Sequence, residues 1–133
     1  MSWDVFVMNF PKEAETVEDI PDDFVPPPLG TRAELIARIK VVVPFAEFSD
    51  PSWGTIEGPD FSIEVNLGKD DTVSDFALHV RGSDTAAGVV ADIISTLGLR
   101  AIAVPPGDFF DPATAKEAMA HWRAYRDHVV KNQ

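Results

Sequence analysis

With 133 residues, 45% of them hydrophobic and 25% charged, the chain is long enough to bury a core unaided and has an ordinary globular composition. It holds no cysteine, which excludes a disulfide framework and thiolate chemistry. The formal net charge of −11 works against binding nucleic acid or an anionic membrane and favours a basic partner.

The charge is uneven. Residues 1–30 hold seven acids and one base, and residues 41–84 hold nine acids and two bases. Residues 31–40 carry a net +2, and everything after 84 balances. The N-terminal Met-Ser-Trp-Asp lacks a basic stretch followed by an apolar run, and no apolar run approaches the ~20 residues of a membrane span. A cytoplasmic protein of one domain, residues 1–133, is the expectation.

In chain order, residues 3–10 (W-D-V-F-V-M-N-F) predict a strand. Its centre is apolar on both faces, which places it inside a sheet. Residues 12–30 form a proline-rich, acidic surface strap, with Pro21 and Pro26 to Pro28 favouring an extended path. Ile20, Phe24, Val25 and Leu29 are its expected pins. Thr31 and Glu34 make a capping box at the start of a helix whose apolar stripe is Leu35, Ile36, Ile39, Val42 and Val43. Residues 45–53 read as irregular, with a turn at Asp50-Pro51.

After a short strand at 55–57, two clean alternations follow. Phe61, Ile63, Val65 and Leu67 oppose Ser62, Glu64 and Asn66; Phe76, Leu78 and Val80 oppose Ala77, His79 and Arg81. Period-2 patterning of this kind marks strands with one buried face, and the polar linker 68–75 predicts an antiparallel hairpin. A strongly apolar helix runs from a Ser83 or Asp84 cap to Leu97, with Gly98 ending it. A strand at 99–104 stops at Pro105-Pro106-Gly107. Asp111-Pro112 opens a last helix with an inner stripe of Ala115, Ala118, Met119, Trp122, Tyr125 or Arg126, and Val129, fraying at 131–133.

The order β-α-β-β-β-α-β-α predicts an α+β two-layer sandwich: a mixed sheet of about five strands, joined by two β-α-β crossovers, with helices mainly on one face. It lies in the broad neighbourhood of ferredoxin-like folds.

The candidate ligand-binding site is the outward face of the hairpin: Ser62, Glu64, Asn66, His79 and Arg81. If Leu67 faces Phe76, Glu64 faces His79 and Ser62 faces Arg81; a two-residue slip puts Glu64 opposite Arg81. Either register sets a carboxylate beside a cation: as a site, Arg81 would clamp an anion with Ser62 and Asn66 as hydrogen-bond partners, and as ordinary cross-strand charge pairing the opposite charges would offset each other. No catalytic residue emerges, because no nucleophile and base are fixed by spacing. No G-x-G-x-x-G or Walker pattern occurs, and no cofactor is expected. His121 and His128 sit seven apart, ~10 Å of helical rise, too far to share a metal unaided, so no metal is expected. The candidate partner-binding surface is Glu47, Asp50, Trp53, Glu57, Asp60, Asp70 and Asp71, with Trp53 as an apolar anchor.

The segments W-D-V-F-V, I-P-D-D-F, S-D-P-S-W-G, S-I-E-V-N-L-G and L-H-V-R-G, spread over residues 3–82, resemble those of a family of small acidic bacterial proteins. The resemblance brings no assigned catalytic residues. In size, charge and fold class the chain is also similar to immunity proteins, which bind and neutralise a toxin. The leading expectation is therefore a non-catalytic protein that binds a basic protein partner, immunity-like, with no nucleic acid or membrane partner. A small-ligand module or enzyme on Glu64, His79 and Arg81, and a homodimer through the open sheet face, are the alternatives.

Overall fold

The computed structural model describes residues 2–131, with side chains as far as residue 128. It is an α+β structure built on a seven-stranded antiparallel sheet. The strands are β1 (Trp3–Met8), β3 (Glu47–Asp50), β4 (Trp53–Glu57), β5 (Phe61–Asn66), β7 (Asp75–Gly82), β8 (Arg100–Val104) and β9 (Asp108–Phe109), in the spatial order β3-β4-β5-β7-β1-β8-β9. A separate two-residue ribbon pairs β2 (Gly30–Thr31) with β6 (Thr72–Val73). The helices are α1 (Arg32–Val42), α2 (Thr85–Leu97) and α3 (Ala115–Lys131).

The expected sheet is corrected in three respects. It has seven strands where about five were expected, its pairings are antiparallel where a mixed sheet was expected, and the element order is longer. The added strands β2, β3, β6 and β9 have two to four residues, too few for a period to register. One crossover survives in altered form. β7 and β8 each run antiparallel to β1, so they are parallel to each other and joined by α2, with β1 inserted between them. This is a split β-α-β arrangement. The strand β1 is internal, as its two-sided apolar centre predicts.

The alternation places Ile63, Val65, Phe76, Leu78 and Val80 in the core with Trp3, Val5 and Val7 of β1. Against them lies α2, whose Ala86, Ala87, Val90, Ile93, Ile94 and Leu97 are all buried. It contacts β5 and β7 below and both other helices beside it. A helix this apolar needs cover on several sides, and this central position supplies it. Gly98 ends it in the left-handed conformation at φ 65°. From α3, Ala115, Met119 and Trp122 complete the core. The Arg126 guanidinium lies 4.8 Å over the Trp122 ring while Tyr125 is 54% exposed, so Arg126 occupies the inner stripe. Val129 and residues 131–133 lie outside the described side chains.

Local signals largely hold. The Thr31 hydroxyl accepts from the Glu34 amide at 3.1 Å, although the return half of the capping box is not formed. The carboxylate of Asp84 pairs with Arg123 at 2.8 Å instead of capping α2. The strap is held by Asn9, which donates to the Pro27 and Pro28 carbonyls, and by the Leu29 amide on the Val73 carbonyl. Val25 does not pin it, being 81% exposed.

Candidate functional site

All residues proposed for the ligand site fall on the sheet face opposite the core. The first register is the one formed: Glu64 lies opposite His79, and Ser62 opposite Arg81. The side chains choose other partners. Arg81 reaches diagonally to Glu64, 2.9 Å from Oε1, and His79 turns to β1, where its Nδ1 lies 2.8 Å from Asp4 Oδ1. A carboxylate only accepts, so the Nδ1 of His79 carries the proton and donates. The Ser2 hydroxyl donates to the same Asp4 oxygen. Asn66 accepts from the Gly68 amide at 3.2 Å, shaping the start of the loop after β5.

Pairing across the sheet assembles two rows on this face. One runs Glu47, Thr55, Glu64, His79, Asp4 and Val104. The next runs Trp53, Asn66, Ala77, Phe6, Ile102 and Phe109, apolar in all but one member. The two rows are stitched together where the Trp53 ring stacks on His79, centroids 5.8 Å apart at 21°. Trp53 and Phe6 are each 39% exposed, large rings open to solvent on this face. Trp53 and His79, which the sequence assigns to different sites, therefore belong to one surface.

No protein-family model, curated protein or solved structure matches the chain. The geometry alone carries the functional argument.

The acidic set divides. Glu47, Trp53 and Glu57 share the open face. Asp50 sits at the β3–β4 turn, accepting from the Ser52 hydroxyl at 2.7 Å and the Ser52 amide at 2.9 Å. These bonds, the hydroxyl's first, hold its carboxyl below the ordinary value of 3.8. Asp60 accepts from the hydroxyls of Ser83 and Thr85 at the start of α2. Asp71 pairs with Arg32 of α1 at 3.7 Å. Asp70 lines a cleft of about 410 Å³ at the end of the open face. Asp50, Asp60 and Asp71 thus each have a structural partner, whereas Glu47 and Glu57 have none among the described residues.

Sequence reasoning missed Asp4 and Phe6. Their signal was present: Asp4, Phe6 and Met8 alternate with the buried Trp3, Val5 and Val7. It took the pairing of β1 with β7 to bring them beside His79. Among the described residues no group of three or more His, Asp or Glu is placed to hold a metal ion, and no helix is long and apolar enough to cross a membrane.

The Arg81–Glu64 pair is half exposed, and solvent screens it. A double-mutant cycle with Arg81→Ala and Glu64→Ala should give a coupling of ~0.2–1 kcal/mol in chemical denaturation. A coupling above about 2 kcal/mol would show a desolvated pair and a more enclosed site than this one.

Proposed function

We propose that this is a non-catalytic binding protein that docks a basic protein partner on its open sheet face. One observation carries the reading: an apolar row in which the Trp53 and Phe6 rings are open to solvent is bordered by carboxylates, and the two arginines on that face among the described residues are already engaged. Arg81 is paired with Glu64. Arg100 donates to the Pro11 carbonyl and lies 3.8 Å over the Phe109 ring. Opposing them are Asp4, Glu47, Glu57, Glu64 and Asp75, which pairing places on the same face. An apolar centre with a charged border is the usual anatomy of a protein interface, and the sign of the border selects a basic partner.

The same charges speak against a homodimer through this face, since two copies would bring like charges together. They also disfavour an anion clamp, because the Arg81 charge is already answered by Glu64. An immunity role, suggested by size, charge and fold class, is one form of the proposed reading; the lack of cysteine suits a reducing cytoplasm.

The test is kinetic. With a partner isolated by affinity capture, the association rate should fall as salt rises, because the Debye length shrinks from ~30 Å at 0.01 M to ~8 Å at 0.15 M. Glu47→Lys and Glu57→Lys, which disturb no internal bond, should slow association at low salt. A salt-independent rate, unchanged by both substitutions, refutes the proposal.

A further inference from the structure

We infer that the cleft at the end of the open face is the seat of a basic side chain, a lysine ammonium or arginine guanidinium, presented by the partner; this rests on the docking face proposed above. The cleft has a volume of about 410 Å³, and its lining includes Phe6, Asp70, Thr72, Ser74, Asp75 and His79. Three properties fit a cation. First, its carboxylates are unanswered: those of Asp70 and Asp75 have no hydrogen-bond or ion-pair partner among the described residues, and no lysine or arginine is part of the lining. Second, the half-exposed Phe6 ring offers an aromatic surface, which attracts a cation through its quadrupole. Third, His79 is fixed by Asp4 through Nδ1, so its other ring nitrogen has no partner among the described residues and accepts a hydrogen bond when the ring is neutral.

The wall of the cleft is also built in advance. Arg32 donates from its backbone to the Asp71 carbonyl at 2.8 Å and from its guanidinium to the Lys69 carbonyl at 3.0 Å. The β2–β6 ribbon pins Thr72 and Val73. Arg32 thereby holds the loop from behind and answers Asp71, leaving the Asp70 charge uncompensated. A preformed wall reduces the ordering that binding would otherwise require.

The probes are Nα-acetylated argininamide and lysinamide, with Nα-acetylated citrullinamide, whose side chain is uncharged, as control, titrated into isotopically labelled protein and followed by NMR. Argininamide or lysinamide should shift the backbone amides of residues 66–77 and the His79 ring and should saturate at millimolar concentration. Citrullinamide should not. Asp75→Asn with Asp70→Asn should weaken the binding at least fivefold while leaving the amide spectrum elsewhere unchanged, which shows that the fold is intact. Silence from both charged probes, equal shifts from citrullinamide, or affinity unaffected by the double substitution overturns the inference. The two proposals fail separately. A silent cleft with association still slowed by Glu47→Lys and Glu57→Lys removes the cleft and keeps the face. Probe binding in the cleft with salt-independent partner association removes the face, and with it the partner as the source of the cation.

Discussion

Gly82→Ala should destabilise the protein by about 4 kcal/mol, combining ~1–3 kcal/mol of backbone strain with ~1–3 kcal/mol of steric overlap. Gly82 ends β7 at φ 106°, a conformation that side-chain-bearing residues rarely adopt. A Cβ there would lie 2.4 Å from the Asp60 carbonyl oxygen and 2.6 Å from the Phe61 Cα. Both are backbone atoms of the adjoining β5 segment, so no side chain can swing aside. The Ser83 amide donates to that same Asp60 carbonyl at 3.0 Å, and the Ser83 hydroxyl to the Asp60 carboxylate at 2.6 Å. Pushing the two segments apart would therefore also loosen the entry to α2. Against a typical domain stability of roughly 5–15 kcal/mol, that is a large fraction. Gly88→Ala is the control: Gly88 lies inside α2, with nothing within 4 Å of an added Cβ. Removing a helical glycine should leave stability unchanged or raise it by up to ~1 kcal/mol. Denaturant midpoints for the two variants check the pair. A loss under 1 kcal/mol for Gly82→Ala would contradict the close approach of β7 to the β4–β5 turn.

What the sequence disclosed depended on the length of each signal. The runs from Phe61 and from Phe76 are long enough for period 2 to be unambiguous, and the buried face follows from them; the register, open between two alignments in the sequence, is the one that sets Glu64 opposite His79. The helix α2 declared itself by near-continuous apolarity and by Gly98. The edge strand β3 reads E-F-S-D with one partly buried residue, and β9 has only two residues; neither can show a period. The sheet was therefore underestimated at its edges, where local patterning is weakest and tertiary pairing decides. The site was half legible for a related reason. Ser62, Glu64, Asn66, His79 and Arg81 belong to one hairpin, and alternation alone places them together. Asp4 and Phe6 reach the same face only through pairing between strands about 70 residues apart in sequence, which is visible only in the fold. Residue type also misled in a specific way. The acids Asp50, Asp60 and Asp71 look alike in sequence to Glu47 and Glu57. Yet Asp side chains near turns and helix starts readily satisfy nearby backbone and hydroxyl groups, as Asp50 and Asp60 do here, while Asp71 is answered by Arg32. Here the turn and helix-start acids Asp50, Asp60 and Asp71 are engaged within the fold, whereas Glu47 and Glu57 on outward strand faces have no partner among the described residues.

Trp53→Ala should speed dissociation of the docked partner about 30-fold, the equivalent of the ~2 kcal/mol that defines an interface anchor, and should leave the association rate nearly unchanged. Trp53 lies in the apolar row, with Glu47 in the adjacent row of the same face and Glu57 further along its own strand. At 39% exposure it keeps a substantial area to bury, while its stacking on His79 holds the ring in one orientation before contact. Such a ring contributes contact area at little cost in ordering. Its removal changes no charge, so steering by the carboxylates persists and the effect falls on dissociation. The fold should lose only the stacking contribution of ~0.5–1.5 kcal/mol, so stability measured alongside separates an interface effect from unfolding. Trp53→Phe retains a ring able to stack on His79 and should recover most of the slow dissociation. The charge variants Glu47→Lys and Glu57→Lys should do the opposite, slowing association with little change in dissociation. If Trp53→Ala instead slows association, or leaves dissociation within twofold of the parent protein, then Trp53 lies outside the contact and the apolar row is not the centre of the docking face.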